Sequence, residues 1–159
     1  MADFQIFEVP LGNGHIGICQ MPGRNDVTGD LDRLRDWGAD LVLSMTSQGE
    51  LNAAGVGDIG QRLADRGIGW QHLPIVDFGA PGGDTALAWP VAAAAAHEVL
   101  QNGGRVVAHC WGGCGRSGMA VLRLMVETGE PPKEALARLR SVRPCAVETE
   151  GQWGWASGV

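Results

Sequence analysis

Apolar residues in this chain fall in short runs broken by glycine, proline and charge, and the runs differ in period. Phe4 to Pro10 and His15 to Gln20 predict two strands joined by a turn at Gly12-Asn13-Gly14. Asp30 to Trp37 predicts a short helix, with Leu31 and Leu34 on one face and Gly38 placed to end it. Leu41 to Met45 reads as a buried strand, Gln48 to Ala54 as a helical turn, Ile59 to Asp65 as a helix, and Trp70 to Val76 as a strand. Pro90 to Gln101 is a clear helix, with Pro90 in its first turn and the favourable run Ala92 to Ala96 behind it. Arg105 to Cys110 is Val-rich without alternation, as a strand covered on both faces should be. Ser117 to Glu127 suits a central covered helix, and Pro131-Pro132 opens another over Lys133 to Val142. Strands alternating with helices predict an α/β fold: one domain over residues 1–159, with a mainly parallel central sheet flanked by helices on both faces. Cys110 then sits at the carboxyl end of a strand, where such sheets hold ligands.

The loop that follows carries the chemistry. In Cys110-Trp111-Gly112-Gly113-Cys114-Gly115-Arg116-Ser117, three of the five residues between Cys110 and Arg116 are glycine, so successive backbone N–H groups can turn toward one anion. The helix after it points its positive end at the same place. Arg116 offers paired donors suited to phosphate. Such surroundings favour the Cys110 thiolate over its thiol, and the Ser117 hydroxyl can donate to the sulfur. Trp111, Gly112, Gly113, Cys114, Gly115 and Arg116 are thus the expected phosphate binders. A glycine turn holding an inert cysteine would satisfy fewer of these demands at once. Zinc would need a second ligand pair beyond His109, Cys110 and Cys114. A nucleotide-binding loop would need a lysine before the serine, and a serine-hydrolase elbow would need glycine where Met119 stands. A sulfurtransferase of the rhodanese type, which also cradles an anion around cysteine, stays open on this loop alone.

His109 to Ser117 resembles the His-Cys-x5-Arg-Ser/Thr signature of the protein tyrosine phosphatase superfamily, and within it the dual-specificity enzymes of the cyclin-dependent-kinase-associated group. Similar pieces follow in the same order: Gly17-Ile18-Cys19-Gln20-Met21-Pro22-Gly23, Leu41-Val42-Leu43-Ser44, Gln48-Gly49-Glu50-Leu51, Pro74-Ile75-Val76-Asp77, and Ala146-Val147-Glu148-Thr149 with Gln152. The resemblance implies the cysteine-phosphatase fold and hydrolysis of phosphate monoesters through a phosphocysteine, with phosphotyrosine or phosphoserine/threonine proteins as substrates. It implies Cys110 as nucleophile, Asp77 as general acid and Gln152 as the residue that positions water. Asp84 is the alternative acid; its other reading is an N-cap for a helix beginning at Thr85. Asp77 also reads as a turn residue tied to its own backbone, and Gln152 as an ordinary exposed helix residue beside a Thr149 cap. No cofactor or metal is expected, since arginine and backbone donors supply the electrostatics. A scaffold that binds phosphorylated residues without turnover is the other alternative.

Cys114 suggests a protective disulfide with Cys110 under oxidants, while Cys19 and Cys145 read as structural. His97 reads as a partly buried helix residue rather than a ligand, and Trp111 as either pocket wall or core. The chain has 159 residues, a hydrophobic content of 45% and a formal net charge of −6. That charge argues against nucleic-acid or anionic-membrane partners. Lys133 is the only lysine, so the loop lacks the basic pocket of inositol-lipid phosphatases. No apolar stretch reaches membrane-spanning length and no signal-peptide pattern opens the chain, which with four cysteines leads to an expectation of a reducing cytoplasm. Composition leaves the oligomeric state open.

Overall fold

The computed structural model describes residues 3–158. Five strands form one sheet: β1 (Phe7–Leu11), β2 (Gly14–Cys19), β3 (Leu41–Ser44), β4 (Gly69–His72) and β5 (Arg105–His109). Their order is β1-β2-β5-β3-β4. Only the edge hairpin β1–β2 is antiparallel; β2, β5, β3 and β4 run parallel. The central strand β5 pairs His109 with Cys19 on one side and with Ser44 on the other. Cys110 therefore leaves the sheet between two neighbours at their carboxyl ends.

Alternation along the strands sorts side chains between two cores. Leu41, Leu43, Val106 and Ala108 face one cluster, completed by α4 (Gly83–Gln101), α5 (Gly115–Glu127), α6 (Pro132–Val142) and α7 (Glu150–Ser157). Val42 and Val107 face the other, built with α1 (Val27–Trp37), α2 (Gln48–Ala53) and α3 (Ile59–Ala64). The period of two that puts neighbours on opposite faces is why runs such as Leu41-Val42-Leu43 are apolar throughout. Helices thus cover both faces, as the α/β reading expects.

Several boundaries differ from that reading, among them the starts of β1 at Phe7 and of α5 at Gly115. The strand expected from Trp70 to Val76 leaves the ladder after His72, because Pro74 has no N–H; Leu73 and Ile75 still donate to Ser44 and Met45. The helix expected from Pro90 begins at Gly83, so Pro90 lies inside α4 and not in its first turn. Its N-cap is Gly82 and not Asp84, which falls in the first turn; Thr85 anchors that turn by donating to the Pro74 carbonyl at 2.6 Å. The helix expected from Asp30 starts at Val27, capped by Asp26, whose carboxylate accepts from the Gly29 N–H.

Glu127 at the end of α5 ties three helices together. Its carboxylate accepts from Trp89 and His97 of α4 and from Arg123 of α5, while Arg123 stacks on Trp155 of α7. Burial alone would raise the Glu127 carboxyl, but these donors hold it below its ordinary value. His97 is accordingly a half-buried helix residue with a carboxylate partner. Glu127→Ala strands those donors and is expected to cost about 2 kcal/mol; urea unfolding followed by tryptophan fluorescence measures it.

Candidate active site

The turn from β5 into α5 is shaped by what holds its carbonyls. The Trp111 carbonyl accepts from Met21 N at 3.0 Å. Arg143 donates Nε to the Gly113 carbonyl at 2.9 Å and Nη2 to the Gly112 carbonyl at 3.0 Å. In a trans peptide the C=O and N–H point in opposite directions. Pulling these three carbonyls outward turns the amides of Gly112, Gly113 and Cys114 the other way. Gly113 permits this with φ +76°, and a Cβ there would stand 2.7 Å from the backbone where Cys19 meets Gln20.

Cys110 is buried, with Sγ 3.1 Å from the Ser117 hydroxyl in the first turn of α5. Arg116 is 1% exposed. Its Nη1 donates to Glu50 Oε1 at 2.9 Å and to the Ile75 carbonyl at 3.0 Å, and its Nη2 donates to Glu50 Oε2 at 2.9 Å. The Nη1–Nη2 edge of the guanidinium is thereby filled. Nε is buried and has no protein partner, and Nη2, which keeps a second hydrogen, lies 3.3 Å from Asp77 Oδ1. The Nε–Nη2 edge is a donor fork left for an oxyanion. Burial pushes the Arg116 guanidinium down, but Glu50, Cys110 and Asp77 together hold it above its ordinary value. Hydrogen bonds from Arg116 hold Glu50 below the usual carboxylate range despite burial.

Behind the loop a chain of hydrogen bonds fixes His109. Trp70 Nε1 lies 2.8 Å from Ser44 Oγ, which lies 2.6 Å from His109 Nε2; His109 Nδ1 is 3.0 Å from the Cys110 carbonyl. An indole N–H only donates and a carbonyl only accepts. Ser44 therefore accepts from Trp70 and donates to Nε2, and His109 carries its proton on Nδ1. Burial pushes the imidazole down to about 4, so it is neutral at pH 7.

Asp77 follows the exit from β4, with an exposed carboxylate that also accepts from the Phe78 N–H at 3.0 Å. Both readings of Asp77, a turn residue and a group facing the cradle, are thus present in the geometry. The exposed Val76 and Phe78 flank it. Asp84 lies in the first turn of α4. Gln152 is fully buried, which removes the exposed-helix reading. Thr149 caps α7 as expected; Gln152 Oε1 accepts from the N–H groups of Glu148 and Thr149, and Nε2 donates to the Gly79 carbonyl at 3.2 Å. One amide hydrogen remains, beside Gly115, where a Cβ would come within 3.0 Å of the amide. Trp111 is half-buried against the second core cluster while lying at the loop's start, so wall and core describe the same ring.

Cys114 corrects one expectation: it is bonded to Cys145, and Cys110 is free. The Cys110 sulfur faces Ser117, whereas Cys114 lies on the side of Arg143 and Cys145. Cys145, read as structural, is one half of this cross-link. Cys19 is a buried free thiol, pushed up by burial and then by the neighbouring Cys110. Sequence reasoning assigned no role to Glu50, Arg143 or Ser44. Ser47-Gln48-Gly49-Glu50 does carry a capping-box pattern, and the box forms, but nothing local signals a partner 66 residues away.

The comparisons with known proteins agree with this geometry. Residues 16–130 match the family model described as a polymorphic toxin system DSP-PTPase phosphatase. The chain is 30% identical over 148 residues to cyclin-dependent kinase inhibitor 3 of Mus musculus, covering 88% of this chain and 69% of that one. Among solved structures, kinase associated phosphatase with its catalytic-site cysteine changed to serine superposes with a TM-score of 0.84 at 23% identity, covering 98% and 93% of the two chains. Tk-PTP in its active form gives a TM-score of 0.67 at 30% identity, covering 86% and 85%. The chain belongs to the dual-specificity family of cysteine-dependent protein phosphatases.

Two outcomes test the site's construction. The unfolded chain protonates a histidine near its ordinary 6.5, the native chain only near 4. Between those values the native state binds fewer protons, so stability falls as pH drops through the window, by on the order of 3 kcal/mol. His109→Asn should flatten that part of the profile in urea titrations from pH 7 to 4. Separately, Cys145→Ser opens a cross-link with a sequence separation of 31, and is expected to cost about 2–4 kcal/mol without reductant and nothing relative to the reduced wild type.

Proposed function

We propose that this phosphatase hydrolyses phosphate monoesters through a phosphocysteine on Cys110. The Cys110 thiolate attacks phosphorus as the bond to the leaving oxygen breaks. Asp77 gives that oxygen its proton. The Nε–Nη2 edge of Arg116 and the amides of Gly112, Gly113 and Cys114 take the negative charge that spreads over the remaining phosphoryl oxygens. Water then attacks phosphorus, the S–P bond breaks, and the Asp77 carboxylate accepts the water's proton. Gln152 orients that water with its remaining amide hydrogen, and the Ser117 hydroxyl donates to the departing sulfur. Neutral His109 holds the Cys110 carbonyl and takes no proton in either step.

The observation that carries the reading is the unfilled edge of a buried arginine next to a buried free thiol. A guanidinium fixed by Glu50 on one edge and open on the other is built to receive a second anion. The substrates proposed are phosphotyrosine or phosphoserine/threonine residues in proteins, supported by the name of the kinase associated phosphatase relative. Sulfur transfer and binding without turnover are not favoured, because neither uses a carboxylate poised at 3.3 Å from the arginine.

Cys110→Ser should abolish turnover of p-nitrophenyl phosphate while still binding orthovanadate or phosphate, as read by calorimetry. Asp77→Asn should lower kcat by on the order of 10²–10⁴ and remove the alkaline limb of its pH profile. Undiminished turnover in Cys110→Ser would overturn the mechanism.

A further inference from the structure

A cation at the start of the cradle lacks a carboxylate partner. Arg24 is half-buried in the turn between β2 and α1, and among the described residues it enters no ion pair. Its guanidinium stacks over Trp111, 5.0 Å from the ring centroid, and Nη1 donates to the Trp111 carbonyl at 3.3 Å. Together with Gly23, Ala53 and Ala54 these two residues line a hollow of about 250 Å³.

That hollow shares two walls with the phosphate site. Trp111 directly follows Cys110 in the loop. Ala53 ends α2, the helix whose Glu50 holds Arg116, and three residues of helix rise about 4.5 Å. An extended substrate chain advances about 3.3 Å per residue, so the residue flanking the phosphorylated one is its nearest neighbour along the chain. Glu50 and Asp77 beside the cradle are acidic, and so is the chain as a whole, while Arg116 is held by Glu50 and Arg143 donates to the Gly112 and Gly113 carbonyls. Arg24 sits over the Trp111 indole, a contact that leaves its charge in place.

We propose that this hollow is a specificity subsite for an anionic group on the substrate residue adjacent to the phosphorylated one, with Arg24 as counter-ion and Trp111 as floor. The proposal rests on the phosphatase reading above. The ligand chemistry is a carboxylate or a second phosphate, either of which fits a guanidinium fork. Loop shape does not hang on Arg24, because Met21 N holds the same Trp111 carbonyl.

The test compares wild type, Arg24→Gln and Arg24→Lys on p-nitrophenyl phosphate and on three phosphotyrosine peptides. The peptides carry alanine, glutamate or a second phosphorylated residue beside the phosphotyrosine. Wild type should favour the glutamate peptide over the alanine peptide about fivefold in kcat/KM, the size of a half-exposed ion pair, and the doubly phosphorylated peptide more. Arg24→Gln should erase both preferences through KM, with p-nitrophenyl phosphate turnover unchanged, and Arg24→Lys should restore part of them. A preference for the second phosphate alone, lost in Arg24→Gln, also supports the subsite and names phosphate as its ligand. Equal preferences in wild type and Arg24→Gln, or none in wild type, overturn it. If wild type turns over none of these substrates, the phosphatase reading falls instead. Peptide affinities of Cys110→Ser, with and without Arg24→Gln, then read the subsite by the same ratios.

Discussion

A guanidinium withdrawn from water has to be paid for by something that stays with it, and in this fold that partner is Glu50. The pair joins α5 to α2 across the end of the sheet and sets the orientation of Arg116. Both oxygens of Glu50 are engaged, so Arg116 can neither rotate nor retreat. What remains of its donors is directed by what has already been satisfied. The cradle is therefore the residue of a larger arrangement, the part of a buried polar network that protein atoms leave open.

The rest of the structure serves that arrangement from three directions. Behind it, the Trp70–Ser44–His109 chain crosses from β4 through β3 to β5 and ends on the Cys110 carbonyl. Outside it, Arg143 keeps two loop carbonyls turned away. Beside it, the capping box of α7 uses Gln152 to hold the Gly79 carbonyl, which couples the segment carrying Asp77 to the start of the last helix.

Much of this was legible in the chain. Cys110, Ser117 and Arg116 stand together in one loop, so their meeting needed no tertiary guess, and strands alternating with helices led directly to a sheet covered on both faces. Asp77 was legible as a loop carboxylate after an expected strand. The Glu50 pairing was not, because it depends on two helices meeting across the strand ends, and a capping box explains the same glutamate locally. The start of α4 was obscured by Pro90, whose usual place in a first turn outweighed the weaker helical preference of the residues before it. The cysteines misled for a related reason. Cys110 and Cys114 are close in sequence, whereas Cys145 reaches Cys114 only because the Arg143 segment folds back on the loop. The expectation of a reducing compartment counted four thiols, and two of them are cross-linked.

That cross-link places opposing electrochemical demands on sulfur atoms of a single short loop. As the proposed nucleophile Cys110 has to be reduced, and the bond four residues away exists only when oxidised. A dithiol added to restore an oxidised Cys110 also meets the clasp beside it. An assay performed in ordinary laboratory reductant and one performed without it would thus sample two covalently different molecules.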